Sequence, residues 1–372
     1  MTHFSPADHA AMQDALALAT QAIGLTEPNP RVGCVLVDAR GQVIGRGHTQ
    51  QAGGPHAEVM ALRDAAARGH PTQGATAYVT LEPCSHHGRT PPCCDALLAA
   101  GIARVVCAVG DPNPLVAGQG LARLQAHGVQ VASGLLAEAA RELNLGFFSR
   151  MVRGRPWVRL KVAASLDGRT ALDNGVSQWI TGTAARTDGH AWRKRAGALL
   201  TGVGTVLDDN PRLDVRLVET PRQPLRVVID SRLDTPPEAR ILAAPGQVLL
   251  YAAHPGPGRA ELLAAGGAET VLRPGPHGKV DLPAVLADLA ARGINELHVE
   301  AGHKLNGSFV REGLVDEYLV YLAPKLLGAG RPLAAFGPLE TLQEAPGLVF
   351  HGVDRVGDDL RLIARPPARD RF

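Results

Sequence analysis

The feature that most constrains this chain is a set of three metal-binding side chains, distant in sequence, that can act only if the fold brings them to one point. His56 is followed by Ala57 and Glu58, Cys84 follows Glu82-Pro83, and Cys93 follows Pro91-Pro92. Imidazole and thiolate suit a borderline-soft ion such as zinc. A catalytic zinc site takes three protein ligands and keeps one position for water. Zinc lowers the pKa of that water from about 15.7 to about 7. Glu58 is a carboxylate not needed as a ligand. Placed beside such a water, it can take the proton and pass it on to a ring nitrogen and a leaving amine. These residue types suit attack on an amidine-type carbon with loss of ammonia.

His-x-Glu followed by Pro-Cys-x-x-Cys is the signature of zinc deaminases. Here the spacing differs, because Cys84 and Cys93 enclose the eight residues 85–92. The local pattern supports the placement. Residues 75–81 read as a buried strand, rich in apolar and β-favouring residues, with Cys84 just past its end. Pro92 is suited to a helix start, where its missing N–H has no intrahelical partner to lose. That puts Cys93 in the first turn of a helix, where the backbone dipoles favour a thiolate. His56 likewise opens a helix over 56–67. Cys34 and Cys107 lie in apolar strand-like runs and read as core. Cys94 points elsewhere on its helix than Cys93. His86 and His87 read as lining the pocket above the metal, with a ligand role as the alternative.

Composition narrows the class. Apolar residues make up 45% and charged residues 20% of the 372 residues, which fits a globular chain of two or three domains. A net charge of +2 is too mild to point to a nucleic-acid or membrane surface. No run of about 18 apolar residues suggests a membrane span, and the N-terminus lacks a signal-peptide pattern. A cytoplasmic protein without a disulfide framework is expected.

Strand and helix patterns alternate through the first half. A helix begins at Ser5-Pro6, a hairpin covers 32–47, and strands at 75–81, 104–109 and 129–131 are separated by helices at 93–100, 120–127 and 135–145. Alternation of this kind predicts a mainly parallel sheet with helices on its faces. Residues 149–156, with three arginines, a Gly and a Pro, read as a linker. The expected domains are therefore 1–148 and 157–372. In the second, strands are expected at 157–164, 198–203, 225–229, 248–251, 296–300, 315–322 and within 348–364, and helices at 182–195, 282–292 and 302–312. Small residues where a strand gives way to a helix at Glu300-Ala301-Gly302 would let backbone N–H groups approach a phosphate. The same pattern also suits an ordinary strand–helix turn.

Several longer segments carry a resemblance. They are His56-Ala57-Glu58-Val59, residues 80–93 from Thr80 to Cys93, Asp111-Pro112-Asn113-Pro114, Ala164-Ser165-Leu166-Asp167-Gly168-Arg169-Thr170, Ser177-Gln178-Trp179-Ile180-Thr181 and Val299-Glu300-Ala301-Gly302. Together they resemble the bifunctional riboflavin-biosynthesis deaminase/reductase family over almost the whole chain. The resemblance implies an α/β protein: an N-terminal cytidine-deaminase-like three-layer α/β/α domain, then a C-terminal dihydrofolate-reductase-like α/β domain. It implies zinc-dependent deamination of 2,5-diamino-6-ribosylamino-4(3H)-pyrimidinone 5′-phosphate, then NADPH reduction of the ribosyl chain. It also accounts for the long loop between the two cysteines.

Position by position, the resemblance makes His56, Cys84 and Cys93 the zinc ligands and Glu58 the proton shuttle. It implies NADPH contacts at Ala163, Trp179, Thr205, Asp209, Ser231, Gly302, His303, Lys304, Leu305 and Asn306. It implies substrate contacts at Asn29, Lys161, Ser177, Arg193, Leu213, Arg216 and Glu300. A forked guanidinium suits a phosphate, although Arg193 and Arg216 also read as surface charges. The family implies one zinc per chain, a small-molecule pyrimidine substrate, neither nucleic acid nor membrane as partner, and a homo-oligomer. The alternative is a zinc nucleobase deaminase acting on nucleic acid with an accessory domain, which would have no use for NADPH.

Overall fold

In the computed structural model, residues 3–86, 91–114 and 116–372 are described. The chain divides into two compact units between Gly154 and Arg155.

The first unit contains α1 (Pro6–Gln21), β1 (Gly33–Val37), β2 (Val43–His48), α2 (Ala57–Ala67), β3 (Thr76–Val79), α3 (Cys93–Ala99), β4 (Arg104–Cys107), α4 (Gln119–Ala126), β5 (Gln130–Ser133), α5 (Ala137–Leu143) and α6 (Leu145–Arg153). Its sheet runs β2-β1-β3-β4-β5. β1 is antiparallel to β2 and β3, while β3, β4 and β5 are parallel. Glycines let helices close on both faces. A Cβ on Gly33 would lie 1.8 Å from the Ala15 carbonyl oxygen of α1, and one on Gly45 2.3 Å from that of Ala61 in α2. α1 starts at a capping box in which Ser5 Oγ accepts from Asp8 N–H and the Asp8 carboxylate accepts from Ser5 N–H.

Two expectations fail at the end of this unit. The single helix expected over 135–145 breaks at Asn144, whose side chain accepts from Arg31 N–H at 2.8 Å and donates to Arg31 C=O at 2.9 Å. Residues 149–153, expected as linker, instead complete α6. This helix is strongly amphipathic, and it buries Leu145, Phe147, Phe148 and Ser149. Arginines at its outer positions made it read as a polar linker. Gly154, at φ 66°, ends it in the left-handed conformation that glycine tolerates.

The second unit contains β6 (Trp157–Ser165), β7 (Arg169–Leu172), α7 (Thr183–Arg195), β8 (Ala198–Gly202), α8 (Val203–Asp209), β9 (Leu225–Ile229), α9 (Arg240–Ala243), β10 (Val248–Ala252), α10 (Arg259–Ala265), β11 (Ala268–Leu272), α11 (Leu282–Ala291), β12 (Glu296–Val299), α12 (His303–Arg311), β13 (Glu317–Ala323), β14 (Gly330–Pro332), β15 (Val349–Val356) and β16 (Asp359–Arg365). Nine strands form one sheet in the order β11-β10-β9-β8-β12-β6-β13-β16-β15. It is parallel from β11 to β13 and antiparallel across β16 and β15. One face carries the core of Val158, Leu160, Leu286, Leu289, Leu297 and Phe309. The stretch 348–364 is a hairpin rather than a continuous strand, turning at Gly357 with φ 63°.

The other face of the central strands is charged although buried. Arg159 donates to Glu296 at 2.9 Å and to Glu317, and Arg365 donates to Glu317 at 2.7 Å. Trp192 of α7 lies over the Arg159 guanidinium at 4.4 Å. Such networks are stable only when every charge has partners.

Candidate active site

In the first unit, His56, Cys84 and Cys93 converge, their ligand atoms all within 4.8 Å of one another. His56 is the N-cap of α2 and Cys93 the first residue of α3. Cys84 lies past the end of β3. His56 Nδ1 is 3.2 Å from Cys93 Sγ and 3.7 Å from Cys84 Sγ. Tetrahedral zinc, with bonds of about 2.3 Å to sulfur and about 2.0–2.1 Å to nitrogen, separates such atoms by about 3.5 Å. The donor set and its spacing therefore fit zinc. The Cys93 backbone N–H also donates to Cys84 Sγ at 3.4 Å. Cys94 is turned away, its thiol donating to the carbonyls of Pro83 and Gly120.

His56 and Cys84 border a cavity of about 360 Å³ whose walls include Asn29, Thr49, Glu58, Glu82, His86, Asp111, Asn113, Phe147 and Arg150. Glu58, in the first turn of α2, is buried. Burial, with the Cys84 thiolate adding to it and His56 opposing, raises its carboxyl to about 7. A carboxyl poised there can both take and return a proton near neutral pH. A hydrogen bond from Cys93 brings Cys84 down to about 4, and the same bond pushes Cys93 up. His87 lies outside the described residues.

Several residues of this site were not singled out from the sequence. The buried Glu82 carboxylate accepts four backbone N–H bonds. Oε1 accepts from Gly120 at 3.0 Å and Leu121 at 3.2 Å, and Oε2 from Gly118 at 2.9 Å and Asp111 at 3.2 Å. It thereby fixes the loop before α4 against the metal-binding turn. Asp111, on that loop, is raised to about 7, chiefly by burial. Its place within Asp111-Pro112-Asn113-Pro114 was the only sequence signal. Phe147 and Arg150 enter the wall from α6, the helix that read as linker.

In the second unit, the residues implied for NADPH gather at the carboxyl ends of parallel strands, where open α/β sheets bind ligands. Ala163 is on β6, Thr205 follows β8, Ser231 follows β9, and Gly302 follows β12. Gly302 is the N-cap of α12, with no side-chain cap. A Cβ there would lie 3.7 Å from Thr205 Oγ1. His303, Lys304, Leu305 and Asn306 begin that helix, and the buried Asn306 Oδ1 has no hydrogen-bond partner among the described residues. Ser177 Oγ donates to Asp209 at 3.3 Å, and both line a polar cavity with Gln178, Asp208 and Arg331. Trp179, 61% exposed, stacks with Arg186 at 4.8 Å.

Of the residues implied for the substrate, Arg193 and Lys161 meet at Glu300. Arg193 grips it in a fork, Nε to Oε1 at 2.5 Å and Nη2 to Oε2 at 2.8 Å. Lys161 Nζ is 3.8 Å from Oε2. The Arg193 fork is thus engaged on a carboxylate and the Asp214 carbonyl, so it does not present the free phosphate-binding face that the sequence suggested. Burial alone would raise Glu300, but Arg193 and Lys161 hold it well below the carboxylate range. Burial lowers the Lys161 ammonium, with Glu300 opposing. Leu213 is buried at φ 48°, and Arg216, partly exposed, pairs with Asp214 at 2.6 Å.

A metal-dependent deaminase unit followed by a nucleotide-dependent reductase unit is the class these two sites define, and comparison with known proteins agrees. Residues 5–109 match the family model for the cytidine and deoxycytidylate deaminase zinc-binding region, and residues 156–362 match that for the RibD C-terminal domain. The chain is 47% identical to riboflavin biosynthesis protein RibD of Escherichia coli strain K12, covering 94% of this chain and 97% of that protein. It is 42% identical to RibD of Bacillus amyloliquefaciens, covering 95% of each. The structure is similar to Acinetobacter baumannii RibD, with a TM-score of 0.88, 41% identity and coverage of 97% and 99% of the two chains. It is also similar to the Thermotoga maritima diaminohydroxyphosphoribosylaminopyrimidine deaminase/5-amino-6-(5-phosphoribosylamino)uracil reductase, with a TM-score of 0.86, 33% identity and the same coverage. The chain belongs to the RibD family: it is a bifunctional deaminase and reductase of riboflavin biosynthesis, with zinc in the first unit and NADPH in the second. A second half of this kind does not favour the alternative of a nucleic-acid deaminase with an accessory domain.

Proposed function

We propose that the first unit deaminates 2,5-diamino-6-ribosylamino-4(3H)-pyrimidinone 5′-phosphate. The second would then reduce the ribosyl side chain, giving 5-amino-6-ribitylamino-uracil 5′-phosphate. The observation that carries this reading is the meeting of His56, Cys84 and Cys93 at one point, with His56, Cys84 and buried Glu58 lining one cavity. Zinc held there supplies Lewis acidity that makes water acidic enough to attack near neutral pH. Glu58 takes the water proton and returns it to the ring nitrogen and the departing amine. Asn29, in the cavity wall, orients the pyrimidine edge.

In the second unit, Gly302 to Asn306 hold the cofactor phosphates through backbone N–H groups at the start of α12. Ala163, Trp179, Thr205, Asp209 and Ser231 hold the rest of the cofactor. NADPH supplies the hydride, which is the hard part of the chemistry. Lys161, kept in place by Glu300, orients the open-chain sugar, and Ser177, Arg193, Leu213 and Arg216 shape the substrate side.

The partner is a small molecule rather than nucleic acid, and the place of action is the cytoplasm. All five cysteines are unpaired, which suits a reducing compartment. No helix among the described residues is long and apolar enough to cross a membrane. A homo-oligomer is supported by exposed apolar side chains on β15, the edge strand of the nine-stranded sheet, where Phe350 is 67% and Val353 59% exposed.

The test is an assay on zinc-loaded protein with the diamino-pyrimidinone ribosyl phosphate, following ammonia and NADPH together. Ammonia should appear without NADPH, and NADPH should be consumed only after deamination. Silence of both signals would overturn the substrate assignment.

A further inference from the structure

Arg193 is engaged on Glu300, so the phosphate of a ribosyl phosphate needs another cation on the substrate side of the second unit. The loop after α8 offers Arg212, which has no assigned role. Asp214 is buried, and its carboxylate accepts from two arginines, Oδ2 from Arg212 Nε at 2.9 Å and Oδ1 from Arg216 Nη1 at 2.6 Å. Its carbonyl accepts from Arg193 Nη1 at 2.9 Å, which ties the pair to the side that holds Glu300 and Lys161. The Arg212 and Arg216 side chains are 42% and 44% exposed. Their remaining guanidinium nitrogens have no hydrogen-bond partner among the described residues. One buried carboxylate thus holds two guanidiniums by one nitrogen each and leaves their other donors open.

The backbone of the loop is held in advance. Arg216 N–H donates to His190 Nδ1 at 3.1 Å. The Gln223 amide accepts from Val215 N–H and donates to Val215 C=O, both at 2.8 Å. Leu213, buried and between Arg212 and Asp214 in sequence, holds φ 48°. A bulky residue adopts that left-handed conformation at a cost, and such strain gathers at ligand sites. Charge adds a reason. Arg193, Arg212, Arg216 and Lys161 set four cations against the two carboxylates of Asp214 and Glu300. A phosphate monoester, with a charge of about −1.5 to −2 near pH 7, makes up that balance, and guanidinium donors suit its oxygens. We propose that Arg212 is a specificity-determining residue of the reductase, taking the 5′-phosphate of the substrate together with Arg216. The proposal rests on the assignment of this loop, through Leu213 and Arg216, to the substrate.

The test uses the full chain and Arg212→Met, which keeps the stem and removes the charge. KM is measured for 5-amino-6-(5-phosphoribosylamino)uracil and for NADPH. The compound lacking the phosphate is followed as a competitive inhibitor of that reduction, so it need not turn over. The methionine variant is expected to raise KM for the phosphorylated compound about three- to tenfold, between the effect of an exposed ion pair and that of a buried charged hydrogen bond. KM for NADPH and the inhibition constant of the phosphate-free compound should stay within about twofold of the parent. Arg212→Lys, which keeps the charge without the fork, should fall between parent and Arg212→Met, and it carries the test should the methionine variant not fold. An unmoved KM for the phosphorylated compound overturns the proposal. An equal weakening of the phosphate-free compound also overturns it, because that marks a packing role. A rise in KM for NADPH alone assigns the pair to the cofactor's phosphates and overturns it too. Arg216→Met separates the layers. If that variant also leaves KM for the phosphorylated compound unmoved, the assignment of the loop to the substrate fails. If it raises that KM while Arg212→Met does not, only the role of Arg212 fails.

Discussion

Replacing Glu82 by Gln tests whether one carboxylate holds the deaminase site together. The Glu82 oxygens accept two backbone N–H bonds each. A glutamine keeps one oxygen but sets its NH₂ against two N–H donors, which are then left without an acceptor. Hydrogen bonds to a charged group contribute about 1.5–3 kcal/mol each, so losing two costs about 3–6 kcal/mol. For a domain of about 150 residues, each kcal/mol moves the midpoint by about 2–4 °C. The first unit should therefore melt about 6–24 °C lower. All three tryptophans, at 157, 179 and 192, lie in the second unit. Tryptophan fluorescence thus follows that unit alone, while calorimetry sees both. The expected result is a lowered first calorimetric transition, an unmoved fluorescence transition and weakened ammonia release. A midpoint within about 2 °C of the parent, with deamination unchanged, would refute the view that this carboxylate anchors the loop before α4.

Further outcomes follow from the same geometry. Glu58→Gln should retain stoichiometric zinc by metal analysis and lose ammonia release by several orders of magnitude, with reduction of the deaminated compound unaffected; loss of both activities in a folded variant would contradict two separate sites. A chelator should abolish deamination and spare reduction, and added zinc should restore the first activity. His190 is lowered to about 4 by burial and by Arg193 and Arg216, against about 6.5 when unfolded. Between these values the unfolded chain binds the proton and the folded chain does not. The contribution of His190 to stability is thus present above about 6.5 and lost as pH falls toward 4. Denaturant titrations of His190→Gln should show a shallower fall in stability across that window than the parent.

What the sequence determined is local. Alternating patterns set the strands and the longer helices, because period and length are visible along the chain. The metal ligands were legible for the same reason: His56, Cys84 and Cys93 each sit beside an element boundary marked by its own neighbours. Short elements were not legible. α8, α9 and α10 have seven, four and seven residues, too few to display a helical period. α6 was misread because its outer arginines masked a buried face. The tertiary structure alone decided which distant groups share a charge. Glu300, Arg193 and Lys161 meet through strand register and the packing of α7, and neither is written in any single stretch of chain. Glu82 reads as one letter of a motif until folding closes a loop about 30 residues further along around its carboxylate. Spacing along a chain specifies an element, but partners across a sheet depend on how elements stack, and that is settled only when the whole core is assembled.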